Sequence, residues 1–144
     1  MDTSRIESLA REIAAREAGR AGSRAAAQRL AEELHAEVTA AVERFAATLR
    51  ESGAPHLDLI TVGQVEPDDK SIRAFQVKVC RGRWIGLIVT KDRGEIMLVG
   101  PFQRGADEGP CNPVLFAEGE PALEKARGPL ERLLMSLIEA SYRK

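Results

Sequence analysis

An α+β fold is predicted, and three observations predict it. Residues 74–100 carry two hairpin turns whose flanking side chains alternate in agreement. A long stretch before them has apolar residues at helical spacing, and a leucine-dense helical stretch follows them. Together they give N-terminal helices, an antiparallel four- to five-stranded meander sheet, and a C-terminal helix packed on the sheet.

The first helix opens at Ser4-Arg5-Ile6-Glu7, whose Ser-x-x-Glu spacing is that of a capping box. Ile6, Leu9 and Ile13 form a short apolar stripe, with Glu7→Arg11 and Glu12→Arg16 as supporting pairs four residues apart. Gly19, Gly22 and Ser23 follow. Two glycines this close cost about 2 kcal/mol of helix propensity, which predicts a break. A straight continuation would also set Arg20 and Arg24 on the apolar stripe. Residues 1–22 are therefore expected to be a helical extension, and residues 23–144 a single α+β domain.

A second helix is expected from Ser23 to about Arg50, with the stripe Leu30, Leu34, Val38, Val42, Phe45 and Leu49. Its breadth suits packing on a sheet rather than a coiled-coil seam. Ser52-Gly53-Ala54-Pro55 ends it, with glycine and then proline.

Residues 56–65 read as a strand, followed by the acidic loop 66–71. The next turn is read as Arg81-Gly82, with glycine supplying the positive φ of a two-residue hairpin. That choice pairs Val79 with Trp84, Val77 with Gly86 and Phe75 with Ile88. The second turn, Lys91-Asp92-Arg93-Gly94, has the pattern of a three-residue hairpin with a bulge. It pairs Lys91 with Glu95, Thr90 with Ile96 and Ile88 with Leu98.

Both turns assign Phe75, Val77, Val79, Trp84, Ile88, Ile96 and Leu98 to one face, the core face. The helices at 23–50 and 129–142 are expected to cover it. The other face carries Gln76, Lys78 and Cys80, then Ile85, Leu87, Val89, Met97 and Val99. Burying five apolar side chains is worth roughly 1.5–3 kcal/mol each, so this face needs a cover of its own.

Residues 101–113 are rich in Gly and Pro and read as a loop, with Val114-Leu115-Phe116 as a short fifth strand. The last helix is announced by Glu118-Gly119-Glu120-Pro121. Gly128-Pro129 predicts a kink or restart within it, ahead of Leu130, Leu133, Leu134, Leu137 and Ile138.

Composition narrows the function classes. With 44% hydrophobic and 30% charged residues and a net charge of −1, no global field recruits nucleic acid or membrane. The N-terminus lacks the apolar core of a signal peptide, and two cysteines are too few for a disulfide framework, so a cytoplasmic setting is expected.

Residues 70–104 hold eight basic side chains (Lys70, Arg73, Lys78, Arg81, Arg83, Lys91, Arg93, Arg104) against Asp92 and Glu95. The hairpins divide them between opposite ends of the sheet, which speaks against a nucleic-acid surface. His35 and His56 have no Cys or His at ligand spacing, and Asp68-Asp69 and Asp107-Glu108 read as solvated turns. Neither Cys80 nor Cys111 has a local activating group. No P-loop, HExxH, GxSxG or GxGxxG is present, and no catalytic residue, metal or cofactor is expected.

Two functional expectations remain. The first is a non-enzymatic protein-interaction or assembly module, a homodimer through Ile85, Leu87, Val89, Met97 and Val99. The helix with Ile6, Leu9 and Ile13 would fold back or swap onto that face. The alternative is a small-ligand or anion-binding regulatory domain using the basic strands and the 101–113 loop. There Phe102, Gln103 and Arg104 would offer a ring, an amide and a guanidinium.

Overall fold

The computed structural model describes residues 1–57, 59–68, 74–92, 94–117 and 119–143, with the backbone alone at 20–22 and 143. Of the positions singled out above, Asp58, Asp69, Lys70, Ser71, Arg73, Arg93 and Glu118 lie outside them.

The expected break at Gly19–Ser23 is not there. One helix, α1, runs from Ser4 to Glu51. Glycine lowers helix propensity without forbidding helical φ and ψ, and no proline interrupts the alanine-rich flanks. The capping box does not form either. Thr3 is the N-cap without a side-chain cap bond, and Asp2 Oδ1 accepts the Ser4 N–H at 3.0 Å instead. That bond holds the Asp2 carboxyl below its ordinary pKa. The C-terminus closes as a Schellman motif: Ala54 N–H donates to Leu49 O at 2.8 Å and Gly53 N–H to Arg50 O at 3.1 Å, with Gly53 at φ 81.

The sheet is an antiparallel meander. Short strands β1 (Thr61–Val62) and β2 (Glu66–Pro67) both pair with β3 (Phe75–Arg81), which is followed by β4 (Trp84–Thr90), β5 (Ile96–Gln103) and β6 (Cys111–Pro113). The expected strand over 56–65 is thus reduced to β1, with β2 just beyond it. The fifth strand lies at 111–113 rather than at 114–116. Val114 still donates its N–H to Ile96 O, is buried, and extends the ladder by one bond.

The first hairpin corrects the expected register by two residues. Arg81 pairs with Trp84, Val79 with Gly86, Val77 with Ile88 and Phe75 with Thr90. The loop is Gly82-Arg83, with Gly82 at φ 62 and Arg83 not at positive φ, the pattern of a type II′ turn. A shift of two leaves every side chain on its predicted face, so the core assignment stands. The second hairpin pairs as expected: Lys91 N–H donates to Glu95 O at 2.9 Å, Thr90 faces Ile96 and Ile88 faces Leu98.

β5 contains a bulge. Leu87 pairs with Val99 and Ile85 with Phe102, so Gly100 and Pro101 together stand opposite Gly86. Gly100 has φ 104, and a Cβ there would lie 2.7 Å from Ile85 O.

The C-terminal helix α2 spans Ala122–Arg143 and continues through Pro129 rather than restarting. Just ahead of it, Glu120 accepts the Ala117 N–H at 2.7 Å and pairs with Lys125 Nζ at 2.8 Å. The Lys125 hydrogen bond, with the Ala117 N–H, holds the Glu120 carboxyl below its ordinary pKa. Leu34 and Val38 from α1 and Leu130, Leu133, Leu134 and Leu137 from α2 meet Val77, Val79, Ile88, Ile96 and Leu98 in one core. Phe75 packs on Ala27 and Ala31. Gly86 gives α2 its seat, since a Cβ there would meet Leu133 Cδ1 at 3.4 Å and Val79 Cγ2 at 3.2 Å. Both helices therefore cover the predicted core face.

Candidate interaction surface

α1 does two different things along its length. Its C-terminal half packs on the sheet, and among the described side chains the first buried one along it is Ala27. Two contacts anchor it there: Thr90 Oγ1 donates to Ala27 O at 2.8 Å, and the Arg24 guanidinium stacks 4.9 Å from the Phe75 ring centre. Arg24 thus falls on the apolar stripe, as a straight helix requires, and an aromatic face receives it.

The N-terminal part, residues 4–19, projects as an arm of roughly 24 Å at 1.5 Å per residue. Every residue from 1 to 19 is exposed. Ile6, Leu9 and Ile13 stand on one stripe of the arm at 62%, 54% and 50% exposure. Three large aliphatic side chains open to water at helical spacing form a contiguous patch rather than scattered surface residues.

The second sheet face is not an open surface. Ile85, Leu87, Val89 and Val99 are only 4–7% exposed within the chain, and they form a cluster with Ala74. Cys80, Met97 and Phe102 pack on its margin. Above Ile85, Leu87 and Phe102 remains a depression of about 190 Å³, rimmed by Asp68, Lys78 and Glu108.

The bulge in β5 decides where the three expected ligand residues go. Because it adds one residue, Phe102 comes onto the second face beside Ile85, while Gln103 pairs with Trp84 and is exposed. Arg104 N–H donates to Arg83 O at 2.7 Å at the sheet end. The segment read as a loop is a hairpin whose Gly100 N–H donates to Pro110 O at 2.9 Å. Phe102 and Gln103 lie on opposite faces of β5, so the three side chains do not converge.

The basic residues do not converge either. Arg81 is buried in β3, bonded through Nη1 to Ser141 Oγ at 2.8 Å and 5.7 Å from the Phe45 ring centre. Arg83 and Arg104 are exposed at one end of the sheet, and Lys91 lies at the other. Cys80 and Cys111 are free thiols. Among the described residues, no group of three His, Cys, Asp or Glu could hold a metal ion, and no helix is long and apolar enough to cross a membrane.

One feature had no counterpart in the sequence reading. Between α1 and α2 lies a groove of about 560 Å³. Its floor is apolar, from Ala41, Phe45, Leu130 and Leu134. Its rim carries Glu37 and Arg44 from α1 and Arg127 and Glu131 from α2. Arg127 closes one end, donating from Nη2 to Glu37 Oε1 at 2.8 Å and from Nε at 3.2 Å. Its one signal in the sequence is the width of the two stripes: Phe45 and Leu134 belong to the core-facing stripes, and part of each faces this groove.

No family model, no curated protein and no solved structure matches the chain.

Proposed function

We propose that the protein is a non-enzymatic assembly module that forms a homodimer, with the α1 arm as its principal contact. The exposed stripe Ile6, Leu9 and Ile13 carries this reading. An arm held out in water gains nothing from those side chains in the monomer, whereas burying them recovers roughly 1.5–3 kcal/mol each. Helices stripped of tertiary contacts are marginal in water, so a partner also supplies the packing that the arm otherwise lacks. The second sheet face, with Ile85, Leu87, Val89 and Val99 already enclosed, offers a partner far less apolar area. A closed two-fold pair uses the same patch on both chains and leaves no stripe wet.

Sedimentation equilibrium of the full chain tests the proposal. A dimer is expected at micromolar concentration. The combined substitution Ile6→Glu, Leu9→Glu and Ile13→Glu is expected to give a monomer with an unchanged circular-dichroism spectrum for the domain. Wild-type protein that sediments as a monomer at that concentration would overturn the reading.

A further inference from the structure

Among the described residues, the arm's stripe and the groove between α1 and α2 are two open apolar surfaces, and we infer that they are each other's partners: the arm of one copy lies in the α1/α2 groove of a second. The inference rests on the homodimer reading above and names the surface that receives the arm.

Reach excludes the arm's own groove. Ile13 and Glu37 belong to one unbroken helix, and the 24 residue steps from one to the other hold the stripe roughly 36 Å from the nearer end of the groove. Only another chain can bring the two together.

Size agrees. The groove follows α1 from Glu37 to Thr48, about three turns, and the stripe from Ile6 to Ile13 covers about two. Two aliphatic residues a turn apart with a third beyond them are the anchors by which a helix seats in an apolar groove.

Charge agrees as well. The rim balances Glu37 and Glu131 against Arg44 and Arg127. Residues 4–19 of the arm are balanced too, with Arg5, Arg11 and Arg16 against Glu7, Glu12 and Glu17. A polybasic or strongly acidic partner helix would leave half of that rim opposed to like charge, whereas this arm does not. Exchange is reciprocal, so each protomer contributes one arm and one groove.

Cross-linking between differently substituted chains tests the assignment. Both chains carry Cys80→Ser and Cys111→Ser; one adds Ala10→Cys on the flank of the stripe, the other Ala41→Cys in the exposed floor of the groove. After mixing and mild oxidation, a 10–41 disulfide between chains is expected, in excess over 10–10 and 41–41 products. Separately, Ala41→Glu, an exposed helical position, is expected to weaken self-association about tenfold or more while leaving the melting of the monomer unchanged. A dimer that cross-links mainly 10–10, or that survives Ala41→Glu intact, would overturn the groove assignment and leave the homodimer reading standing. A wild-type monomer would overturn both.

Discussion

Gly100 is the residue on which the edge of the sheet turns. Its φ of 104 lies where side chains are rarely tolerated, and a Cβ would meet Ile85 O at 2.7 Å, a backbone atom that cannot swing away. Gly100→Ala is expected to cost about 2 kcal/mol or more, read as a lower midpoint in urea unfolding. Loss of the bulge would also take Phe102 off the second face, so its contact with Ile85 should weaken in the same variant. By contrast Gly19 has nothing within 4 Å of where a Cβ would sit. It is helical and unconstrained, so Gly19→Ala should stabilise the arm by about 1 kcal/mol, seen as greater helicity at 222 nm. The two glycines look alike in the sequence, and only the surrounding atoms separate them. Alternation revealed which face each strand residue takes, yet it was blind to the two-residue register shift, because that shift moves no side chain across the sheet. The extra residue at Gly100-Pro101 was hidden for a different reason: Gly-Pro also reads as the end of a strand.

At the scale of elements, α1 is the informative case. Leu34 and Val38 in its second half are essentially buried, while Leu9 and Ile13 in its first half are half exposed. Leu34→Ala is expected to cost about 2–5 kcal/mol of folding stability by opening a core cavity. Ile13→Ala should leave the monomer's stability unchanged and weaken the dimer. Denaturant unfolding at two protein concentrations separates these effects. The helical character of both halves was legible from apolar spacing and charge pairs, and the stop at Gly53 from its glycine and proline. Continuity between the halves was not, since propensity records what glycines cost and not what the neighbouring turns supply. β6 was hidden by its composition: Cys111, Asn112 and Pro113 carry no strand propensity, and β5 holds them by tertiary pairing.

On the scale of the whole molecule, one sheet face carries two helices and the apolar residues of the other are already enclosed within the chain, while the arm and the groove are open among the described residues. The expectation of an unsatisfied apolar surface was drawn from the sequence at Ile85, Leu87, Val89, Met97 and Val99. Counting apolar positions identified a face that needed covering, but it could not tell which parts of the chain would close over it. The groove was illegible for a related reason. It is lined by two helices that share one sheet face, so neither helix shows it alone.

The unbroken helix from Ser4 to Glu51 has a mechanical consequence. It couples the arm to the domain in azimuth as well as in distance, so the direction the stripe faces is set by the number of residues between Ile13 and Ala27. Each inserted residue turns the stripe by about 100°, and seven return it to within about 20° of its starting direction. The domain beyond Ala27 is untouched by either change. The arm should therefore behave as a keyed shaft: its fit depends on phase, and added length alone should be forgiven when the phase is restored.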